Sequence, residues 1–238
     1  MDDQLVKRLL DLNREFYARF ARDFSDTRAA ERANVEPIMP YLTNGVKVLD
    51  VGCGNGRIAG RLDREAFQLT YVGIDVTSEL IEIAGGRRFD NLTAEFHRLD
   101  ITTPGWTETL RPRAPFDLAL ILAVLHHLPG IELRCAVLRQ LRTLLRPGGT
   151  LILSNWQFMH DERLRNKIVS WQQLGIDETG LETGDTLMDW KRGGTGYRYV
   201  HLLTEAEIQT LAGDSGFQVI RQFYADANLN LWSILRRD

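Results

Sequence analysis

Three closely spaced glycines follow an apolar segment near residue 50 and give the strongest indication of a ligand site in this sequence. The segment reads LDVGCGNGR over residues 49–57, with glycine at positions 52, 54 and 56. Glycine lets the chain turn sharply and brings backbone amides close to a ligand, where a side chain would obstruct it. The spacing differs from the GxGxxG of dinucleotide-binding turns, and no Gly-Lys-Ser or Gly-Lys-Thr follows, so a P-loop is not expected.

Acidic residues end three successive predicted strands, where a carboxylate can accept hydrogen bonds from a ligand. Asp50 lies in VKVLDVG, Asp75 ends LTYVGID, and Asp100 ends AEFHRLD. In open α/β folds, ligands bind at the edge where the carboxyl ends of parallel strands meet. A single such aspartate is as often a solvated strand end or a helix cap, whereas three in succession favour one ligand site.

Alternating apolar and amphipathic segments supply the elements that must position these aspartates. The apolar runs are VKVLDVG, LTYVGID, AEFHRLD, FDLALIL, TLILSNW, FQVIRQFY and LNLWSIL. Continuous apolar runs are typical of strands buried on both faces of a parallel sheet. Only a few residues separate the last two runs, so they must pair antiparallel. The sequence predicts a doubly wound α/β fold with a mostly parallel seven-stranded sheet and one antiparallel strand.

Two regions lie outside this alternation. Residues 1–44 are predicted to form N-terminal helices, one over residues 5–20 and a second from about residue 29 to residue 42, with the polar break FSDTR between them. Residues 45–238 form the main domain, within which residues 155–201 are predicted to be a helical cap insertion on the substrate side. A further helix is expected over residues 202–213, where Thr204 and Glu207 have the spacing of a capping box.

Composition narrows the class of protein. The net charge of −3 argues against a surface covered with nucleic-acid-binding charge, although it permits a local basic face. The two cysteines, Cys53 and Cys135, are too few for a disulfide framework and lack zinc-site spacing, so no metal site is predicted. No apolar run reaches the roughly 18 residues of a membrane span. We expect a cytoplasmic protein that does not bind a membrane.

The glycine turn, the aspartates and the segment FDLALILAVLHHL together resemble class I S-adenosylmethionine-dependent methyltransferases, over residues 45–155 and the C-terminal strands. The resemblance implies S-adenosyl-L-methionine as cofactor. It assigns Asp75 to the ribose hydroxyls, Asp100 to the adenine amino group and Asp50 to the charged aminoacyl end. The cofactor-binding residues that it implies are Asp50, Gly52, Cys53, Gly54, Asn55, Gly56, Asp75, Val76, Asp100, Ile101 and Ala123.

Other segments resemble the eukaryotic methyltransferases that act on the carboxymethyl group of tRNA wobble uridine. These segments are FSDTR, AVLHHL, GDTLMDW, YRYVHLLTEAEI and YADANLNLW. The chain departs from the family pattern at Asp189, Val200 and Leu231. The resemblance implies a tRNA substrate and a small zinc-binding activator subunit as partner.

A carboxymethyl carboxylate is ionised at neutral pH, so its methylation needs alignment and desolvation but no general base. The site should therefore contain groups that bind a carboxylate, and we predict Arg198, Tyr199 and His201 in this role, with Arg28 approaching from the N-terminal side. His126 and His127 adjoin the methyl-transfer position in this fold, and His126 completes the predicted catalytic set. Each of these side chains has a structural alternative in packing, capping or surface ion pairing.

Two competing hypotheses remain at this point. A small-molecule O- or N-methyltransferase acting on an acid, quinone or secondary metabolite would have a closed apolar pocket lined by Trp156, Phe158, Met159 and Trp190. A non-catalytic, cofactor-binding regulator would keep only the fold. Basic residues of the cap could follow an RNA backbone or could simply be solvated; they are Arg163, Arg165, Lys167, Lys191, Arg192 and Arg198.

Overall fold

The computed structural model of the protein describes residues 1–29 and 33–238, with residues 24 and 27–29 described by their backbone alone. Its centre is a seven-stranded sheet. The strands are β1 (Lys47–Val51), β2 (Leu69–Asp75), β3 (Leu92–Arg98), β4 (Phe116–Leu122), β5 (Leu145–Trp156), β9 (Phe217–Ala225) and β10 (Asn230–Arg237). Their order in the sheet is β3-β2-β1-β4-β5-β10-β9. β1 to β5 pair in parallel, and β10 is antiparallel to both of its neighbours. The predicted doubly wound sheet with one antiparallel strand is confirmed.

Both faces of this sheet are buried, which explains why its strands are continuously apolar. In β4, Ala119 and Ile121 contribute to one apolar cluster, while Leu118 and Leu120 contribute to another. Successive side chains of a strand point to opposite faces, so the two clusters are the two layers of the core. The principal helices are α2 (Arg57–Leu62), α3 (Ser78–Gly85), α4 (Ile131–Arg142) and α6 (Glu205–Ser215), and α6 begins with the predicted capping box at Thr204.

The N-terminal region is helical as far as Ala29 and is kinked at Phe20. Helix α1 spans Asp3–Ala29 and consists of two helical segments that meet at Phe20, where φ is −111° and ψ is 17°. The predicted first helix ends at this kink, whereas FSDTR, predicted to be a break, belongs to the second segment. The second predicted helix is wrong within the described residues, because only a short 3₁₀ turn forms at Met39–Tyr41. Pro37 and Pro40 restrict the residues before them and remove two backbone donors, so a regular α-helix cannot run through this segment.

The cap is built around a small sheet, so the prediction of a helical insertion is wrong. β6 (Ile168–Val169), β7 (Asp185–Trp190) and β8 (Gly196–His201) form three antiparallel strands, and the only α-helix among the cap residues is the single turn α5 (Glu162–Arg165). Two glycines with positive φ, Gly193 (69°) and Gly194 (139°), lie in the turn between β7 and β8. Short 3₁₀ turns occupy Phe158–His160, Trp171–Leu174 and Glu178–Gly180.

Helix α1 packs against this cap and so closes one side of the molecule. Leu9 is buried with Trp171, Leu187 and Tyr199 in one apolar cluster. Further along α1, Phe16 and Phe20 are buried against Trp190. Among the described residues, no helix combines the length and apolar character needed to cross a bilayer.

Candidate active site

The turn between β1 and α2 has a backbone conformation that requires glycine. Gly52, Gly54 and Gly56 have φ values of 75°, 56° and 71°, in the left-handed region that glycine adopts without strain. A Cβ atom on Gly52 would lie 2.2 Å from Cγ2 of Val124. A Cβ atom on Gly54 would meet nothing within 4 Å, so the backbone at Gly54 faces open space.

Asp75 ties the end of β2 to this turn. One carboxylate oxygen accepts a hydrogen bond from the amide of Gly54 at 3.0 Å, and the other accepts one from the amide of Thr77 at 2.9 Å. Burial raises the pKa of Asp75, and these backbone donors act against that rise. Each oxygen retains a further lone pair, so the carboxylate can still accept hydrogen bonds from a pair of hydroxyl groups.

Asp50 is the most enclosed of the three acidic groups. It lies in β1, is 1% exposed, and accepts a hydrogen bond from the hydroxyl of Tyr71. Burial raises the pKa of Asp50 to about 7, although the Tyr71 hydrogen bond acts in the opposite direction. A cation bound next to Asp50 would lower this pKa and so favour the ionised carboxylate.

Asp100 connects the end of β3 to helix α1. Its Oδ1 accepts hydrogen bonds from the backbone amide and the hydroxyl of Thr102, at 2.9 and 2.7 Å. Its Oδ2 accepts a hydrogen bond from the guanidinium of Arg14 at 2.8 Å. Arg14 also bonds to Asp11 and to the Thr102 hydroxyl, so α1 is anchored directly over this end of the site.

One cavity joins the glycine turn and the three acidic groups. The predicted cofactor residues that line it are Asp50, Gly52, Cys53, Gly54, Asn55, Asp75, Val76, Asp100, Ile101 and Ala123. Gly56 is the exception, because it caps α2 and faces Ala84 and Arg87. Ala123 has a φ of 59°, a backbone conformation that costs free energy in a residue other than glycine and that is concentrated at functional sites.

The other end of the cavity is lined by side chains from α1, from the segment after β4 and from the end of β5. They are Leu10, Asn13, Tyr17, Val124, His127, Leu128 and Trp156, whereas Arg14 lines the cavity beside Asp100. His127 Nδ1 lies 3.1 Å from the carbonyl of Tyr199, which can only accept, so Nδ1 carries the hydrogen. His127 Nε2 lies 2.9 Å from the hydroxyl of Tyr17. An aromatic and imidazole surface therefore faces the acidic edge of the sheet.

Comparison with known proteins agrees with this arrangement. The sequence model of a family described as methyltransferase domain matches residues 13–222. The chain belongs to this methyltransferase family. Its structure is similar to that of a SAM-dependent methyltransferase from Methanosarcina mazei, with a TM-score of 0.65 and 24% sequence identity over 85% of this chain and 97% of the other. That similarity shows a shared fold.

Two relatives of this methyltransferase have named substrates. The mouse tRNA (carboxymethyluridine(34)-5-O)-methyltransferase ALKBH8 is 28% identical over 142 residues, which are 60% of this chain and 19% of the mouse protein. This chain thus spans about a fifth of the length of the mouse enzyme. The ubiquinone biosynthesis O-methyltransferase of Haemophilus ducreyi is 32% identical over 111 residues, 46% of this chain and 45% of that protein.

Two residues of the catalytic set predicted for the methyltransferase lie away from the cavity. The hydroxyl of Tyr199 donates to Asp185 at 2.7 Å. His201 is fully buried, with Nδ1 2.6 Å from Asp185 and Nε2 2.9 Å from Glu207. We therefore correct their assignment as substrate contacts: both side chains bond to Asp185 within the cap hairpin, and His201 also links the hairpin to α6 through Glu207. The reason is the strand alternation of β8, which turns these side chains toward the core.

The polar cluster around His201 is an ion-pair network. Glu182, Asp185 and His201 offer oxygen and nitrogen atoms within 4.8 Å of one another, a spacing that a metal ion could use. However, the guanidinium of Arg134 forms an ion pair with Glu182, and Arg134 is only 2% exposed. Arg134 thus already supplies the positive charge that a metal ion would bring to this cluster.

The other two predicted catalytic residues lie next to the cavity without lining it. Arg198 is 2% exposed, and its guanidinium lies 4.6 Å from the ring centroid of Trp156. His126 is fully buried and packs on the same tryptophan, with ring centroids 5.1 Å apart. His127 takes the cavity position that we assigned to His126. The side chain of Arg28 falls outside the described residues.

Three residues of α1 that line the cavity were not predicted as site residues: Asn13, Arg14 and Tyr17. Asn13 is 6% exposed and bonds to the carbonyls of His127 and Tyr199 and to the amide of Tyr199. A signal was available, because Asn13 lies at helical spacing between Leu9 and Phe16 on the apolar stripe. A polar residue in such a stripe must find buried partners.

Proposed function

We propose that this protein is an S-adenosylmethionine-dependent methyltransferase whose acceptor is the carboxymethyl group of a tRNA wobble uridine. The observation that carries the proposal is that a single cavity is lined by acidic residues at one end and by aromatic and imidazole side chains at the other. Asp50, Asp75 and Asp100 line one end, and His127 and Trp156 line the other. A cofactor held at the acidic end would direct its reactive group toward an acceptor at the aromatic end.

The acidic end suits S-adenosylmethionine in both shape and chemistry. The open space at Gly54 admits a ligand against the backbone, and Asp75 would accept hydrogen bonds from the ribose hydroxyls. Asp100 would accept from the adenine amino group, and Asp50 would face the cationic aminoacyl end. When bound, this cofactor supplies an electrophilic methyl group on a sulfonium.

The aromatic end would orient the acceptor and exclude water. An ionised carboxylate is already nucleophilic, so these residues need only align it and desolvate it. Trp156 offers a ring on which a nucleobase could stack, with the Arg198 guanidinium already stacked on the same ring. The similarity to the mouse carboxymethyluridine enzyme supports this acceptor.

A methyl-transfer assay tests the proposal. The full chain is incubated with methyl-labelled S-adenosylmethionine and bulk tRNA, either carrying or lacking carboxymethyluridine. We expect label in a base-labile ester on the modified tRNA only. Label on both tRNA samples would refute the acceptor assignment, and failure to bind S-adenosylhomocysteine in calorimetry would refute the cofactor assignment.

The predicted activator subunit is part of the same proposal. If the chain binds S-adenosylhomocysteine and the modified tRNA but does not transfer label, the small zinc-binding subunit should restore transfer when it is added. An inactive mixture would refute that partnership.

A small-molecule O-methyltransferase is the second candidate. The apolar side chains of Leu10 on α1 and of Val124 and Leu128 after β4, which all line the cavity, favour it, because such a lining suits a compact apolar acceptor. Of the four residues that we predicted for a closed apolar pocket, however, only Trp156 lines the cavity, while Phe158 is buried elsewhere and Met159 is exposed. Transfer of label to an acid or quinone in metabolite extracts, with no transfer to tRNA, would select this candidate.

A further inference from the structure

A groove on the cap carries a local excess of positive charge. It is lined by Arg163, Asn166, Lys167, Asp189, Trp190, Lys191 and Arg192, so four cationic side chains face one carboxylate. These residues come from α5, from the segment that leads into β6, from the end of β7 and from the turn that follows β7. The chain as a whole has a net charge of −3, so this excess is a property of the groove alone.

Two of the four cations are already engaged in ion pairs. Arg163 bonds to Asp161 at 2.7 Å, and Lys191 bonds to Asp189 at 3.0 Å. In the part of the chain that the structure describes, Lys167 and Arg192 form no ion pair. These two side chains therefore provide the charge that an external anion would meet.

The aromatic floor of the groove is linked to the catalytic cavity. The ammonium of Lys167 lies 5.9 Å from the ring centroid of Trp190. The guanidinium of Arg198 lies 5.8 Å from Trp190 and 4.6 Å from Trp156, which lines the cavity. One arginine side chain thus lies near an aromatic ring of each site, so the groove is adjacent to the cavity.

We propose that the groove binds the phosphate backbone of a single-stranded RNA loop whose modified base occupies the catalytic cavity. The inference rests on the proposed function, since it takes the acceptor to be part of an RNA. Proteins bind single strands by combining cationic grooves with aromatic side chains, and loops are the part of an RNA whose bases can be splayed into a pocket. Lys167 and Arg192 are the phosphate contacts, and Trp190 forms the floor between them and Arg198.

The test measures binding of a fluorescently labelled anticodon stem-loop RNA carrying carboxymethyluridine, over a series of salt concentrations. The groove variant is Lys167→Gln/Arg192→Gln. Its control is Arg64→Gln/Arg236→Gln, which removes the same charge from two exposed side chains outside the groove. A charge-retaining variant, Lys167→Arg/Arg192→Lys, separates charge from packing. Calorimetry with S-adenosylhomocysteine checks that the cofactor site is intact in each variant.

We expect the groove variant to bind the RNA more weakly. The slope of log affinity against log salt concentration should become less negative by about 1.4, since each of the two lost phosphate contacts on a single strand contributes roughly 0.7. The control and the charge-retaining variant should keep the original slope, and S-adenosylhomocysteine affinity should be unchanged throughout.

Several outcomes would overturn the inference. An unchanged slope in the groove variant, with methylation of the RNA intact, would refute the groove and leave the proposed function standing. An equal loss in the charge-retaining variant would assign the effect to the fold of the cap. No RNA binding by the unsubstituted protein, with S-adenosylhomocysteine still bound, would refute both the groove and the RNA acceptor. Binding to phosphatidylserine vesicles that is lost in the groove variant, with RNA affinity unchanged, would assign the groove to a membrane instead.

Discussion

The substitution Asp50→Asn should stabilise the ligand-free protein at alkaline pH while weakening its affinity for the cofactor. Asp50 is 1% exposed and accepts a hydrogen bond from Tyr71. An asparagine oxygen can accept the same hydrogen bond from Tyr71, so the substitution removes the charge and preserves the contact. The cofactor, in contrast, would lose a carboxylate beside its cationic aminoacyl end.

The size of the effect follows from the pKa of Asp50, which burial raises from 3.8 to about 7. Because the folded-state pKa lies above the unfolded value, folding favours the protonated form. The stabilisation that results is complete below pH 3.8 and is lost as the pH rises through about 7. At about 1.36 kcal/mol for each unit, the total is on the order of 4 kcal/mol, of which roughly 1 kcal/mol is lost between pH 6 and pH 8.

Denaturant unfolding of the ligand-free protein and of the variant, at pH 6 and pH 8, measures this effect. Groups common to both proteins cancel in the difference, so the advantage of Asp50→Asn should grow by roughly 1 kcal/mol across that range. Tyr71→Phe serves as a second variant, because losing its hydrogen bond should raise the pKa of Asp50 further and move the pH dependence upward. An advantage of the same size at both pH values would refute the argument that Asp50 titrates near neutrality.

Three further substitutions test other parts of the site. Asp75→Ala should weaken S-adenosylhomocysteine binding at least tenfold in calorimetry, because each hydrogen bond to a charged group contributes about 1.5–3 kcal/mol; unchanged affinity would refute the ribose assignment. Asn13→Leu should lower the free energy of unfolding by about 2 kcal/mol, since the buried amide of Tyr199 and the carbonyl of His127 lose their hydrogen bonds to Asn13; a variant as stable as the parent protein would contradict this role of Asn13. His201→Ala should destabilise the fold by about 3 kcal/mol, because it leaves two carboxylate groups without their imidazole partner, yet it should retain S-adenosylhomocysteine affinity; loss of that affinity in a folded variant would show that His201 contributes to the cofactor site.

The sheet and the acidic end of the site could be predicted because their signals are local in sequence. A strand buried on both faces needs a continuous apolar run, and FDLALIL has one. A turn that packs Gly52 against Val124 needs glycine. The same local signals put Asp75 at a strand end, and the parallel topology then brings Asp50 and Asp100 to the same edge.

The cap was harder to predict because its strands have short, mixed patterns. GDTLMDW and GYRYVH each alternate for only a few residues, and their stability as a hairpin comes from packing against α1. The polar run FSDTR predicts a break, yet the chain stays helical there beyond the kink at Phe20, because polar residues are compatible with a helix whose earlier turns are held by tertiary contacts. The secondary-structure propensity of a short segment reflects neither the packing of the hairpin on α1 nor the tertiary contacts that hold α1.

The position of α1 over the cavity depends on contacts between residues that are far apart in sequence. Arg14 meets Asp100, and Tyr17 meets His127, across separations of 86 and 110 residues. Nothing in the local sequence of α1 specifies which strand end it will cover. The amphipathic pattern predicted that the helix would pack, but the partner of each polar side chain is set by the tertiary fold.

The segment YRYVH has a different role from the one that its residue types suggested. Tyr199 contributes through its backbone: its carbonyl accepts from Asn13 and lies 3.1 Å from His127 Nδ1, and its amide donates to Asn13. Its hydroxyl and His201 both bond to Asp185, which fixes the hairpin that carries this backbone.

The arrangement fixes the ring of His127, because the Tyr199 carbonyl holds Nδ1 on one side while Nε2 lies 2.9 Å from the hydroxyl of Tyr17 on the other. Arg198, on the same strand, stacks on Trp156 and so sets the other wall of the acceptor end. The segment can therefore matter to catalysis through the placement of His127 and Trp156, even though Tyr199 and His201 lie outside the cavity. A change at His201 and a change at His127 should accordingly differ in kind, the first acting on stability and the second on methyl transfer.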